Sequence, residues 1–386
     1  MGKAVDEVLI VGASSRGLAE SAATAGFRVL AVDAYGDLDL LARAHTIALR
    51  RDLGVDWSPR AAVTAAARFP AVAAAYVSNL ENHPAWVARL ATHRRLWGNA
   101  PEILRRVRDP FELARELTRR GHTTPRVLAG PPPTGKRGTW LLKSRRSGGG
   151  RGVRPWRNGR SVPGTGYLQE KVDGLPGSIS FVADGRRAVP LGLSRQLAGE
   201  PALGAGGLRY SGSLLCGGPE PLFPRESELS RAAEALAAAA TEAFGLVGVN
   251  GIDFIARDGV PWPLEVNPRY SASMELIERA HGLSIFGVHM EACEGRLPSS
   301  SVLGRATART AGKAIVYAPT EVIMGHLRRW WSDDRVRDVP HPGERIAKGG
   351  PICTVFADGC GEAGCREALL AQAAVVYAAA RAERAA

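Results

Sequence analysis

Two acidic residues and an amide lie on a segment that reads as a β-hairpin, and this segment constrains the fold more than any other. Residues 251–256 predict one strand, residues 257–259 an Asp-Gly turn, and residues 262–267 a second strand. Side chains alternate along a strand, so Glu265 and Asn267 share one face, and pairing can bring Asp253 beside them. The pattern predicts an antiparallel hairpin with a polar face.

Oxygen ligands gathered in this way suit Mg²⁺, which usually binds together with the phosphates of a nucleotide. Asp253, Glu265 and Asn267 are therefore the candidate metal ligands, and Mn²⁺ could use the same oxygens. Taken alone, the segment also fits a surface hairpin with solvated charges, because Asp-Gly hairpins are common.

Composition indicates an ordinary globular protein. The chain has 386 residues, enough for two or three domains, and 45% of them are hydrophobic. Its net charge of +12 suits nucleic acid or acidic small molecules, but Lys and Arg form no run, so we expect no nucleic-acid partner. We also expect no membrane span and no signal peptide. The five cysteines lack Cys-x-x-Cys spacing, which favours the reducing cytoplasm.

The first hundred residues begin with a βαβ unit. Residues 8–11 form a continuous apolar run, typical of a parallel strand buried on both faces, and residues 28–32 form the next strand, which closes at Asp33. The turn between them, residues 12–17, lacks the Gly-x-Gly-x-x-Gly spacing of a dinucleotide site. Asp33 could still hold a ribose hydroxyl, so an NAD-type oxidoreductase stays an alternative to a plain Rossmann-like scaffold whose helix N-terminus faces substrate.

Polar residues at the ends of predicted strands are the candidate substrate contacts, because doubly wound sheets bind ligands there. They are Ser14, Arg16, Asn79, Glu81, Asn82, Arg195 and Gln196. For Asn79, Glu81 and Asn82, an ordinary polar loop is an equal alternative.

A glycine-rich loop at residues 147–153 follows a predicted strand, residues 139–144, that carries Lys143 near its end. Glycines let backbone N–H groups approach phosphate oxygens closely, and Arg145 and Arg151 add positive charge. A flexible linker is the alternative. Further strands are predicted at residues 167–172, 178–183 and 190–193, and helices at residues 84–97, 110–121, 227–244, 274–282 and 366–385.

Lys143, the glycine loop, residues 169–172, Asp253 and the run Glu265-x-Asn267-Pro268-Arg269 occur in an order that resembles the ATP-grasp superfamily. The resemblance implies a mixed α/β and α+β fold with three parts. These are a Rossmann-like pre-ATP-grasp domain over residues 1–100, a two-subdomain ATP-grasp fold over residues 101–305, and a small closing domain over residues 306–386.

The resemblance also implies roles for individual residues. Lys143 would bind the ATP phosphates, Asp253, Glu265 and Asn267 would bind Mg²⁺, and Arg269 would steady an acyl phosphate; Lys143 and Arg269 are the candidate catalytic residues. The lid over the phosphates and the hinge strand beside adenine would be formed by Ser147, Gly148, Gly149, Gly150, Gln169, Glu170, Lys171 and Val172. Gly177 and Ser178 stand where many members carry an acid for the ribose.

Residues 11–16, 267–275 and 351–355 resemble one ATP-grasp group in particular, which accompanies bacterial one-carbon metabolism linked to tetrahydromethanopterin. That likeness implies a ligase that joins a small acid, activated by ATP as an acyl phosphate, to an amine. The step would belong to the synthesis of a pterin- or methanofuran-type cofactor, and glutamate is a candidate substrate. A homodimer stays open. The alternative from another class is a nucleotide-binding regulatory subunit without turnover.

Overall fold

The computed structural model describes residues 6–132, 139–157, 159–299, 302, 305–325, 330 and 333–382. The last residues of the helix predicted to end at residue 385 lie outside this set. No helix in the described part of the chain is long and apolar enough to cross a membrane.

The chain begins with a five-stranded parallel sheet in the order β3-β2-β1-β4-β5. Its strands are β1 (Glu7–Val11), β2 (Arg28–Asp33), β3 (Ala44–Ala48), β4 (Ala73–Tyr76) and β5 (Arg95–Trp97). Its helices are α1 (Arg16–Thr24), α2 (Leu38–Leu41), α3 (Leu49–Leu53), α4 (Pro59–Ala66) and α5 (Pro84–Ala91). Val8 to Val11 are fully buried, as expected for a central strand covered on both faces.

The helix predicted over residues 84–97 is wrong in its second half. Helix α5 ends at Ala91, and His93 takes a left-handed backbone conformation with φ of 64°. A non-glycine residue in this conformation ends the helix, and the chain then enters β5 at the sheet edge, where the Arg95 N–H donates to the Val72 carbonyl.

Two helices lead into a small four-stranded sheet. The helices are α6 (Pro101–Val107) and α7 (Pro110–Arg119). The strands are β6 (Val127–Leu128), β7 (Trp140–Ser144), β8 (Arg154–Pro155) and β9 (Gly166–Glu170), in the order β6-β9-β7-β8. Strand β9 was expected to continue to Val172 but ends two residues earlier, where the Lys171 N–H donates to the Thr139 carbonyl.

An eight-stranded antiparallel sheet forms the centre, in the order β14-β13-β10-β11-β12-β15-β19-β17. The strands of this part of the chain are β10 (Leu175–Asp184), β11 (Ala188–Ala198), β12 (Tyr210–Leu215), β13 (Val247–Arg257), β14 (Val260–Asn267), β15 (Thr310–Tyr317), β16 (Val322–Ile323), β17 (Val336–Arg337), β18 (Arg345–Ile346) and β19 (Pro351–Gly359). The helices are α8 (Glu226–Phe244), α9 (Met274–His281), α10 (Ile285–Cys293) and α11 (Gly361–Ala382). Strands from both sides of residue 305 share this sheet, and the division into three domains stays a prediction.

The central sheet has one apolar face and one polar face. Ile179, Phe181, Ile252 and Phe254 lie in one apolar core cluster with Leu229 and Leu236 of α8. The alternate positions of the same and neighbouring strands carry small polar side chains that are also buried: Ser178, Ser180, Ser194 and Ser213. Because side chains alternate along each strand, one register produces both the core and a polar floor.

Arg16 ties the N-terminal sheet to the rest of the chain. Its guanidinium binds Asp338 through Nε and Nη2 at 2.9 and 3.1 Å, and it also donates to Glu275 of α9. Lys313 of β15 donates to the second oxygen of Glu275 at 2.6 Å. Although burial opposes it, the charges of Arg16 and Lys313 hold the pKa of Glu275 well below its ordinary value. We name these four residues the Arg16 cluster.

We expect Arg16→Met to lower the free energy of unfolding by about 3–5 kcal/mol, because it leaves Asp338 and Glu275 buried with too little positive charge. Urea unfolding measures the change. The control is Arg28→Met, which breaks only the exposed pair of Arg28 with Glu7 and should change stability by less than about 1 kcal/mol. Equal effects of the two substitutions would show that the Arg16 cluster does not stabilise the fold.

The buried carboxyl group of Glu278 should make the free energy of unfolding depend on pH. Burial raises the pKa of Glu278 to about 7 from an ordinary 4.5, although Tyr270 and the Ile285 N–H donate to its carboxyl group. Because the pKa of Glu278 is higher in the folded state than in the unfolded state, its contribution to stability is complete below the unfolded-state pKa. That contribution is lost as the pH rises through the folded-state pKa. Between pH 5 and 8 the wild type should lose roughly 2 kcal/mol more than Glu278→Gln in urea unfolding. Parallel pH profiles would contradict this.

Candidate functional site

The hairpin of β13 and β14 brings the three candidate metal ligands together. Asp253 lies directly opposite Glu265, and Asn267 donates from Nδ2 to the second carboxylate oxygen of Asp253 at 3.0 Å. Gln196, a predicted substrate contact on β11, donates to the first oxygen of Asp253 at 2.8 Å. Burial and the charge of Glu265 raise the pKa of Asp253 to about 6. The hydrogen bonds to Asp253 and the charge of Arg269 therefore offset only part of the cost of its carboxylate charge.

Lys143 and Gln169 flank the hairpin from the small sheet. Lys143 on β7 donates from Nζ to Gln169 on β9 at 3.1 Å, and Gln169 donates in turn to the Leu264 carbonyl at 3.2 Å. Although burial opposes it, the charges of Arg108, Lys143 and Arg269 hold the pKa of Glu265 below its ordinary value. The predicted phosphate lysine thus lies within electrostatic reach of a predicted metal ligand.

Arg108 is a site residue that the sequence reasoning missed. It donates to Asn82 at 3.0 Å, to Glu265 at 3.3 Å, to the Val266 carbonyl at 2.8 Å and to the Ser147 carbonyl at 3.1 Å. One buried guanidinium therefore joins the N-terminal segment, the hairpin and the glycine loop. The available signal was the corner between α6 and α7, where Arg108 immediately precedes the helix-capping Asp109.

Arg269 is held on several sides. Its Nε donates to Glu81 at 2.9 Å, its Nη2 donates to Asn267 at 3.2 Å, and its Nη1 donates to the Tyr270 carbonyl at 3.0 Å. Glu81 follows β4 and is only 2% exposed. Glu81 is one of the substrate contacts predicted from the sequence.

The glycine loop lies against the segment before β12. The Tyr210 N–H donates to the Gly149 carbonyl at 3.0 Å. Gly150 has φ of 72°, and a Cβ there would collide with the Leu208 carbonyl oxygen, so no other residue fits. Gly148 and Gly149 have open space beside them. Ser147 contributes its carbonyl to Arg108, as described above.

The hinge residues turn their charged side chains away from the hairpin. Glu170 binds Arg126 at 2.9 and 3.0 Å, and Lys171 binds Asp173 at 2.6 Å. Val172 is half-buried after the end of β9. Ser178 lies opposite Asp253 on β10, and its hydroxyl helps to stabilise the Asp253 carboxylate.

The remaining substrate candidates are dispersed. Ser14 is exposed, and Asn79 accepts a hydrogen bond from Asn82. Arg16 is enclosed in its ion cluster, with a side chain only 4% exposed, and so does not open onto the site. Arg195 does not join Gln196, because adjacent strand residues point to opposite faces; it lies near the Phe223 ring at 5.7 Å.

The first βαβ unit does not offer a dinucleotide site of the usual kind. Asp33 is fully buried and accepts from the Ser15 N–H and hydroxyl and from the N–H groups of Tyr35 and Gly36. A ribose would have to compete with all four donors. A Cβ at Gly12 would collide with Val77, so this glycine serves packing between β1 and β4.

Comparisons with known proteins agree with this geometry. Residues 107–273 match the sequence family described as an ATP-grasp domain. An uncharacterized protein of Methanocaldococcus jannaschii is 29% identical over 118 residues, which are 30% of this chain and 27% of that protein. The chain thus spans about a quarter of the length of this relative.

Solved structures share the fold at low sequence identity. N5-carboxyaminoimidazole ribonucleotide synthetase from Thermus thermophilus has a TM-score of 0.66 and 18% identity, covering 94% of this chain and 96% of that one. L-amino acid ligase from Bacillus licheniformis has a TM-score of 0.67 and 14% identity, covering 96% and 97%. The biotin carboxylase domain of 2-oxoglutarate carboxylase from Hydrogenobacter thermophilus, in complex with MgADP and bicarbonate, has a TM-score of 0.66 and 16% identity, covering 92% and 86%.

Residues 107–273 therefore match the ATP-grasp domain family, and the solved structures share the fold of nearly the whole chain. The predicted fold class, a Rossmann-like unit followed by an ATP-grasp fold, is thereby confirmed.

We expect Arg108→Gln to loosen the glycine loop, because it removes the donor that reaches the Ser147 carbonyl. Amide hydrogen exchange at residues 145–153 should become about tenfold faster, the equivalent of one lost hydrogen bond. The control is Arg106→Gln, which breaks only an exposed pair with Glu112 and contacts around α8. Unchanged exchange in the Arg108 variant would show that this arginine does not hold the loop.

Proposed function

We propose that this protein is an ATP-dependent carboxylate–amine ligase that works through an acyl phosphate. The observation that carries the proposal is the in-register pair of Asp253 and Glu265, approached by Lys143, Arg108 and Arg269, within a domain that matches the ATP-grasp family. Opposed carboxylates beside three cations suit a metal-bound triphosphate better than they suit a structural hairpin.

The donor set fits Mg²⁺. Asp253, Glu265 and Asn267 offer hard oxygens on one face of the hairpin. Burial and the nearby charge of Glu265 raise the pKa of Asp253, and a bound cation would stabilise its carboxylate. The ion would be held by these three side chains. When bound, it would neutralise charge on the phosphates of ATP.

The chain's other residues would bind and orient the reactants. Lys143 and the backbone N–H groups of the glycine loop would hold the phosphates, and residues 169–172 would lie beside adenine. A substrate carboxylate would attack the γ-phosphate, giving an acyl phosphate and ADP, and an amine would then displace phosphate. Arg269 would balance the negative charge of the acyl phosphate. Catalysis would rest on alignment and charge, without a protein nucleophile.

The structural neighbours support ligase chemistry in general. An L-amino acid ligase and a carboxyaminoimidazole ribonucleotide synthetase share this fold along most of their length. We further propose the finer assignment from the sequence resemblance, a step that attaches an acid such as glutamate in the synthesis of a one-carbon carrier. We also propose the division into a pre-ATP-grasp domain, an ATP-grasp domain and a closing domain.

ADP release tests the activity. We expect ADP only when Mg²⁺, an acid and an amine are all present, in a screen that begins with L-glutamate and extends to other amino acids and dicarboxylates. Hydroxylamine in place of the amine should trap the acyl phosphate as a hydroxamate. EDTA should abolish ADP release. Nucleotide binding without ADP release for any acid would overturn the proposal.

Glu265→Gln tests the site. The substitution keeps the side chain's shape but removes a charge from the proposed metal ligands, so we expect kcat/KM to fall at least about 100-fold. Glu242→Gln on the exposed side of α8 is the matched control and should leave turnover unchanged. Near-normal turnover of the Glu265 variant would remove this hairpin from the mechanism.

A further inference from the structure

Glu81 carries a buried carboxylate oxygen that has no partner. Its Oε1 accepts from Arg269 at 2.9 Å, whereas its Oε2 has no hydrogen-bond donor within the described part of the chain. The residue is 2% exposed. Water does not reach such an oxygen freely, and buried acceptors are almost always satisfied. Oε2 of Glu81 is therefore an acceptor that no donor in the described residues satisfies.

The neighbouring groups do not supply that donor. Tyr76 donates its hydroxyl to the carbonyls of Asn99 and Pro268. Arg108 interacts electrostatically with Glu81, but it donates its hydrogen bonds to Asn82, Glu265 and two backbone carbonyls. Arg269 contacts Glu81 through Nε, on the other carboxylate oxygen. The unpaired acceptor is thus surrounded by donors that are already engaged.

Glu81 lies one side chain away from the proposed metal and phosphate site. Arg269 contacts Glu81 through Nε and Asn267 through Nη2, so a single guanidinium joins the two. The residue comes from the N-terminal sheet, just after β4, at the strand ends where sheets of this kind bind ligands. Glu81 therefore borders the proposed site from the N-terminal sheet and not from the hairpin.

We propose that Oε2 of Glu81 receives the ammonium group of the second substrate and takes one of its protons. The inference rests on the proposed ligase function and deepens it. The released amine nitrogen attacks the acyl phosphate carbon, the C–N bond forms, and the C–O bond to phosphate breaks with its electron pair leaving on phosphate. The second nitrogen proton goes to that phosphate, and the proton on Glu81 passes to solvent once the products have left the site. The nucleophile is thus an alkylamine that arrives charged.

The proposed role of Glu81 predicts different rates for two nucleophiles of nearly equal size when its carboxylate is removed. Methylamine is an ammonium ion at neutral pH and needs a proton acceptor before it can attack. Hydroxylamine is mostly uncharged there and attacks without one. Loss of the Glu81 carboxylate should therefore slow the reaction with methylamine and spare the reaction with hydroxylamine, whereas damage to the fold or to Arg269 would slow both.

The experiment compares wild type and Glu81→Gln with ATP, Mg²⁺ and L-glutamate, or another acid that gives hydroxamate with the wild type. Glutamine keeps an oxygen for Arg269 and loses the proton acceptor. We expect amide formation with methylamine to fall at least about 100-fold and hydroxamate formation to change less than about threefold. Glu278→Gln, a buried glutamate that contacts none of the proposed site residues, is the control and should keep both rates.

Equal losses with both nucleophiles, or no loss with either, would overturn the proposal. If Glu81→Gln does not fold, Glu81→Asp decides, because shortening by one methylene should lower the ratio of methylamine to hydroxylamine rates at least tenfold; an unchanged ratio would overturn it. Absence of hydroxamate with every acid in the wild type would instead overturn the ligase function, and this inference with it.

Discussion

The register of the central sheet is the constraint on which the rest of the structure depends. Asp253 lies opposite Glu265 and also opposite Ser178, while the neighbouring Ile252 and Phe254 face the apolar core under α8. A slip of one residue would exchange these faces, placing carboxylates in the core and aromatic rings on the polar floor. The same alternation that buries the core therefore fixes the composition of the site, and fold and function cannot be varied independently along these strands.

Local patterns were sufficient for much of the fold and for part of the site. The hairpin, the apolar β1 and the glycine loop each carry their signal within about ten residues, where periodicity and turn chemistry operate. Strand β5 was missed because a three-residue edge strand has no periodicity, and only the left-handed conformation of His93 separates it from α5.

The contacts of the arginine side chains were the hardest feature to predict from the sequence. Arg16 was predicted to contact substrate but is engaged in an ion cluster with residues as far away as Asp338, and Arg108 was passed over although it contacts Glu265. The partners of Arg269 include Glu81, 188 positions away. In a chain with 50 basic residues, no local pattern tells a buried guanidinium from a solvated one. Only the fold, by bringing distant carboxylates to one place, makes the distinction.

The Arg16 cluster also bears on which parts of the molecule can move. Separating the N-terminal sheet from α9 and β15 would leave several buried charges without their partners at once, which is costly in free energy. Releasing the glycine loop breaks the hydrogen bonds that the Tyr210 N–H and the Arg108 guanidinium donate to loop carbonyls, and water can satisfy these groups instead. The motion that costs least free energy is therefore that of the glycine loop and the small sheet relative to the N-terminal and central sheets. Loop opening would then set the rate at which a bound nucleotide exchanges, while Glu81 and Arg269 stay in place.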